Sequence, residues 1–329
     1  MRKEILFAIA AGAIFGLVLA FGIWRINSAL SPKKEGATAT SEETKKENAI
    51  ISVAKPSEND VIGGSPTTIS GLTQPGSLVI ISGEDHDYLV TADSKGAFAQ
   101  EVSLTGGVNQ IVVTAFAKEG NTGEQKLTLI YSTEFAKPAQ EPSETTQSTD
   151  SIRQKVQEKV NEALNSPTAY LGTVTDISEG SIQLKSAAGE IAQVATKDSP
   201  TVIKDGKSPK TVKLTDIAIG DFIVAMGYRN GNHVLGAKRI LITTPPTPTL
   251  RKAFYGNIAS LSKTGFSLET KQGDTPVNVG ATATVYKVAG EKFTKIKLSG
   301  LEEGNLNIAV ADSSGNKNTA RTAFFITAE

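Results

Sequence analysis

Sliding residues 169–243 of this chain onto residues 253–327, an offset of 84 without a gap, superposes 14 identical residues in 75 positions. Five of the identities are glycines: Gly172/Gly256, Gly189/Gly273, Gly206/Gly290, Gly220/Gly304 and Gly231/Gly315. Glycine serves where the backbone takes positive φ or approaches a neighbour closely, so glycines at fixed offsets mean the same turns made twice. Apolar positions pair as well, among them Val174/Ile258, Ile182/Phe266, Leu184/Leu268, Ile217/Leu301 and Val224/Ile308. One folding unit is therefore present twice, joined by the short stiff link Thr244–Leu250, TPPTPTL.

Within the first copy, apolar runs between turn residues predict strands at Ala169–Ile177, Ser181–Ser186, Ile191–Ala195, Thr201–Ile203, Asp221–Tyr228 and Val234–Thr243. That order suits a small closed barrel of the oligonucleotide/oligosaccharide-binding (OB-like) kind. Gly172-x-Val174-x-x-Ile177, Thr201-x-Ile203, Leu214-x-x-Ile217-x-x-Gly220-Asp221 and the closing Ala237-Lys238-Arg239-Ile240 resemble a family of uncharacterised small β-barrel domains of bacterial envelope proteins. The second copy departs from the pattern: Asn305 replaces Asp221, and Thr322-Ala323 replace Lys238-Arg239.

Residues 49–133 predict strands at Ile51–Ala54, Thr67–Gly71, Leu78–Ser82, Tyr88–Ala92, Ala97–Leu104, Gln110–Ala117 and Gln125–Tyr131. Turn residues separate them at Pro75-Gly76, Asp93–Gly96, Gly106-Gly107 and Gly120-Asn121, which indicates an antiparallel β-sandwich. The runs Ser70–Gly76 (SGLTQPG), Ala92–Phe98 (ADSKGAF) and Leu104–Ile111 (LTGGVNQI) resemble bacterial immunoglobulin-like modules of the glucodextranase-accessory type. The resemblance implies a non-catalytic spacer or carbohydrate-associated appendage. Its matched residues are turn and core positions, so no binding residue carries over. The end of the second repeat copy, Leu301-x-x-Gly304-x-x-x-Ile308 with Gly315-Asn316, shares the spacing Leu104-x-x-Gly107-x-x-x-Ile111 with Gly120-Asn121. A second immunoglobulin-like module is the competing expectation there.

At the amino terminus, Ile5–Trp24 is a run of 20 residues without a charge, enough for a helix of roughly 30 Å that crosses a bilayer. Arg2 and Lys3 precede it, and Trp24-Arg25 marks an interfacial end. The run exceeds a signal-peptide core and no A-x-A-like site follows, which favours an uncleaved signal anchor over a cleaved signal peptide. Gly12 and Gly16 form a G-x-x-x-G pair that permits close helix approach, although glycine is common in membrane helices anyway. Ile152, Val156, Val160 and Leu164 recur every four positions, a narrow amphipathic stripe that packs on the following barrel or pairs with a second copy.

The fold class expected is mainly β and multidomain. Its parts are a cytoplasmic tail (1–4), a transmembrane signal anchor (5–24), a tether (25–48), an immunoglobulin-like sandwich (49–133) and a polar linker (134–149). An amphipathic helix (150–166), two OB-like β-barrels (169–243 and 253–327) and a Pro-rich link (244–252) complete it.

Chemistry has few places to sit. Lys plus Arg and Asp plus Glu are both 34, a net charge of zero that argues against a nucleic-acid binder. With no cysteine, disulfides, thiol catalysis and Cys-ligated zinc are excluded. Of the two histidines, His86 sits in Gly83-Glu84-Asp85-His86-Asp87, where Asp85, His86 and Asp87 are candidate metal ligands. Against that, neighbours on an extended strand point to opposite faces, so a solvated hairpin tip is the plainer reading. His233 occupies another hairpin tip, and Lys317 stands at its place in the second copy. Neither G-x-S-x-G nor a phosphate-binding G-x-x-x-x-G-K-[ST] occurs, so no enzyme and no cofactor are expected. Lys204, Lys207, Lys210, Lys213, Lys238 and Arg239 are the candidate polyanion contact, with an ordinary solvated surface as the alternative.

The expectation is a non-enzymatic, single-pass, membrane-anchored extracytoplasmic envelope protein, acting in adhesion, as a scaffold or in association with a cell-wall polymer. An accessory subunit docking onto a membrane-bound machine is the alternative, and a polysaccharide-acting enzyme the remote one. Partners are the membrane and cell-wall polysaccharide or another envelope protein, with no nucleic acid.

Overall fold

The computed structural model describes residues 50–136 and 166–327, except 119, 207, 231 and 316. The expected anchor with Ile5, Gly12, Gly16 and Trp24, the tether, and all but the last residue of the amphipathic helix lie outside the described residues. Among the described residues no helix is long and apolar enough to cross a membrane. They are mainly β, with single 3-10 turns between strands.

The first eight strands are β1 (Ile51–Lys55), β2 (Val61–Ile62), β3 (Thr67–Thr73), β4 (Leu78–Ser82), β5 (Asp87–Thr91), β6 (Ala97–Val102), β7 (Gly107–Phe116) and β8 (Thr122–Tyr131). They form a sheet of order β1-β3-β6 and another of order β2-β8-β7-β4-β5. Side chains alternate across a pleated strand, and the inward set, including Ile69, Val79, Ile81, Phe98, Ile111, Val113 and Leu129, makes one core between the sheets. The two-residue β2, absent from the sequence expectation, runs parallel to β8 through Val61↔Ile130. Turns follow local chemistry. Asp93 Oδ1 accepts the amides of Ala97 (2.9 Å) and Lys95 (2.8 Å), and these bonds lower its carboxyl pKa. Gly96 there has φ +82°, and a Cβ on it would lie 2.0 Å from the Thr73 carbonyl oxygen.

The first repeat copy contains β9 (Thr168–Ser178), β10 (Ser181–Lys185), β11 (Ile191–Ala195), β12 (Thr201–Lys204), β13 (Lys210–Val212), β14 (Phe222–Arg229) and β15 (Leu235–Thr243). The second contains β16 (Arg251–Ser262), β17 (Gly265–Thr270), β18 (Gly273–Ala289), β19 (Lys292–Ile296), β20 (Leu306–Ser314) and β21 (Lys317–Ile326). Strand order is β11-β10-β9-β14-β15-β12-β13 in one and β17-β16-β20-β21-β18-β19 in the other. Pairing of β11 with β15, and of β17 with β18, closes each copy into a ring. In both, the strand returning from the crossover lies parallel to the last strand, β12 to β15 and β18 to β21. A 3-10 turn precedes the fourth ring strand at Leu214–Asp216 and again 84 residues on at Leu298–Gly300. The short β13 was not expected from sequence.

Matched glycines do matched work. A Cβ on Gly172 would meet the Lys185 carbonyl oxygen at 2.5 Å, and one on Gly256 the Glu269 carbonyl oxygen at 2.2 Å. Gly220 and Gly304 take φ of +97° and +83° and donate to Val174 and Ile258 at 2.9 and 2.8 Å. The Asp221-to-Asn305 change leaves the strand entry intact, because Val174 N bonds the Asp221 carbonyl as Ile258 N bonds that of Asn305.

The outer face of the larger sandwich sheet is covered. Ile80, Leu89 and Phe116 share a core with Val288, Ile308, Val310 and Phe324 of the second repeat copy. Phe116 stacks on Tyr255 with centroids 5.2 Å apart. Val61 and Ile130 share another core with Ala169, Val224 and Met226 of the first copy. The Pro-rich link is pinned to the sandwich by Gln110, whose side chain donates to Thr247 O (2.7 Å) and accepts from Thr249 N (2.9 Å). The three β units thus share apolar cores.

Candidate functional site

The acidic loop 83–87 is a hairpin tip closed by Gly83 N donating to His86 O at 2.9 Å. Its two halves face different surroundings. Asp85 and His86 are exposed. The Asp87 carboxylate turns inward and accepts Ser82 Oγ (2.5 Å) and Thr322 Oγ1 (2.7 Å), with Arg321 Nε at 3.9 Å. The three candidate metal ligands therefore do not converge, since Asp87 is taken by neighbours while the other two point to solvent.

What occupies the loop is a pair of guanidinium groups from the second repeat copy. Arg251, only 3% exposed, donates through Nη1 to Gly83 O, through Nη2 to Gln110 O and to Glu84 Oε1 (3.3 Å), and through Nε to Thr249 Oγ1 (2.7 Å). Arg321 Nη2 donates to Glu84 O (2.7 Å) and Gly83 O (3.3 Å). Glu84 Oε1 also accepts Gln110 N at 2.8 Å. Burial lowers the Arg251 pKa from its ordinary value, while the Glu84 carboxylate opposes that shift. None of these long-range partners was singled out by sequence. The arginine forks thus take up the Gly83 and Glu84 carbonyls and the Glu84 carboxylate, while Asp85 stays exposed. Calcium titrated into the chain is accordingly expected to give neither calorimetric heat nor a melting shift at this loop. A saturable shift lost in Asp85→Asn/Asp87→Asn would refute that.

The six basic candidates divide. Lys238 bonds Asp198 at 2.9 Å, and this bond lowers the Asp198 pKa. Arg239 reaches Glu134 at 2.5 Å and is half-buried. Lys204, Lys210 and Lys213 stand exposed on the β12–β13 hairpin and just past it, and Lys207 lies outside the described residues. Between that hairpin, the Gly106-Gly107 turn and Pro245-Pro246 runs an open cleft of about 540 Å³ with Arg239 in its wall. The second histidine, His233, sits at its own tip with φ +59°, its carbonyl accepting Tyr170 Oη at 2.6 Å. The two imidazoles thus belong to separate hairpin tips, His86 in the sandwich and His233 in the first repeat copy.

No family model and no curated protein matches the chain. Among solved structures, it is similar at 18% identity and a TM-score of 0.20 to a carbohydrate acetylesterase from Xanthomonas citri, over 23% of this chain and 17% of that one. A calcium-stabilised adhesin with which an Antarctic bacterium binds ice matches at 16% identity and TM-score 0.20, over 85% of this chain and 75% of that one. A structure concerning cell-surface retention of a 1.5-MDa bacterial ice-binding adhesin matches at 12% identity and TM-score 0.20, over 85% and 99%. At that TM-score none of the three carries an argument about this chain.

Proposed function

We propose that the chain is a non-enzymatic, membrane-anchored extracytoplasmic envelope protein whose β units associate with an anionic cell-wall polymer. The observation that carries the reading is the exposed set Lys204, Lys210 and Lys213, which has no ion-pair partner among the described residues and stands beside a cleft walled by the sandwich turn Gly106-Gly107 and the Pro-rich link. The uncharged run Ile5–Trp24 supports the anchor. A two-sheet sandwich with its turn residues suits an immunoglobulin-like spacer. Ring order first-second-third-fifth-fourth, with third and fifth parallel, suits an OB-like barrel in each repeat copy.

Co-sedimentation of the chain with purified cell walls across a salt series tests the reading. Pelleting that falls as salt rises is expected, because exposed charge contacts are screened over about 10 Å at 0.1 M. Absence of pelleting at low salt would overturn it.

A further inference from the structure

The second repeat copy carries its own lysine hairpin, in the place where the first carries Lys204–Lys213. In β18–β19, Lys287, Lys292, Lys295 and, just beyond, Lys297 are all exposed, with Glu291 as the one carboxylate in that stretch. In the first hairpin, Lys204 lies directly opposite Lys210, and the carboxylate of Asp205 is held by Thr243 Oγ1 (3.0 Å) and Gly206 N (2.8 Å). Among the described residues, none of these lysines has an ion-pair partner. Like charges placed opposite each other destabilise a strand pair unless an anion joins them.

The two clusters are not simple copies. At the 84-residue offset, positions 204, 207, 210 and 213 fall on Val288, Glu291, Thr294 and Lys297, so one lysine in four matches. Each hairpin nevertheless holds four lysines, in a chain whose net charge is zero. Hairpin charge is maintained where the individual positions are not, as expected of a surface that reads charge density and not fixed geometry.

Resting on the wall-association reading, we propose that the two hairpins are paired contacts for one linear polyanion, a phosphodiester-linked wall polymer. A polymer fits better than a small anion, because the lysines stand on open ridges. Each exposed contact is weak alone and gains through linkage to the others. A membrane surface fits less well. No exposed large apolar side chain lies in 201–213, and Phe293 stands edge-on to Tyr286 and Phe324 instead of facing outward alone.

The test measures binding of the full chain in detergent to linear poly(glycerol phosphate) over a salt series. Variants are Lys204→Gln/Lys210→Gln/Lys213→Gln, Lys287→Gln/Lys292→Gln/Lys295→Gln, and both sets combined. Three contacts at about two- to threefold each predict a loss of roughly tenfold per set and about a hundredfold combined, with a shallower salt dependence. Melting temperatures should not fall, since every substituted side chain is exposed, and should rise slightly where the Lys204–Lys210 repulsion is removed. Wild-type affinity in either triple variant overturns the proposal. So does tighter binding to duplex DNA than to poly(glycerol phosphate) at equal phosphate concentration. If wild-type and combined variant pellet equally with cell walls, the hairpins are excluded while wall association stands. If the wild-type chain pellets with nothing, both readings fall.

Discussion

Replacing Arg251 by alanine is expected to destabilise the chain by about 3 kcal/mol, read as an earlier denaturant midpoint and a melting temperature lower by several degrees. The side chain is 3% exposed and satisfies Gly83 O, Gln110 O, Glu84 Oε1 and Thr249 Oγ1 at once. Truncation removes every one of those donors and opens a cavity where the second repeat copy meets the sandwich. Breaking a buried pair costs about 3–5 kcal/mol when the remaining charge is stranded. The lower end applies here because Glu84 is 37% exposed and turns to water, and because Arg321 still reaches Gly83 O. Arg251→Lys retains the charge without the planar fork and should fall between wild type and alanine. A loss below about 1 kcal/mol for alanine would mean that the guanidinium's desolvation cancels its hydrogen bonds, and that the apolar contact of Phe116 with Tyr255 holds the units together.

How much of this was legible follows from sequence separation. Strand positions in the sandwich and first repeat copy were readable because alternation and turn glycines are local. Leu104–Ile111 makes a tight turn whose Asn109 side chain bonds Thr105 N (2.8 Å) and Thr105 O (2.7 Å), all within five residues. Arg251 and Gly83 lie 168 positions apart, and nothing local ties them. A weaker signal was present. Leu78-Val79-Ile80-Ile81 and Ile111-Val112-Val113-Thr114-Ala115-Phe116 run without polar alternation, the pattern of strands buried on both faces. Such strands call for a cover on the outer face of the sandwich, although not for the unit that supplies it. The gapless repeat also loses register at its end, where Ala225 pairs Ile240 but Ala309 pairs Ala323. Identity at a fixed offset does not report a one-residue slip between strands.

The repeat exposes one residue that works against its own barrel. Asn307 is 0% exposed, and neither amide atom has a hydrogen-bond partner among the described residues. The position 84 residues earlier is Ile223, also 0% exposed and part of the apolar core of the first copy. The surrounding core of the second copy is apolar, built by Ile258, Leu268, Val285 and Phe325 among others. A buried polar group without partners costs about 1–3 kcal/mol, and an apolar replacement recovers that penalty. Asn307→Val is therefore expected to stabilise the chain by about 1–3 kcal/mol in denaturant unfolding. Asn307→Ile should gain less, because its extra methylene strains a core shaped around a shorter side chain. A change near zero for valine would mean that a buried water completes the amide, since such waters make about three hydrogen bonds. Destabilisation by both would mean that the amide orders the barrel, and the analogy with Ile223 would fail. Stabilisation by valine alone would establish that the two copies share a core pattern, and that the second departs from it at a cost in stability.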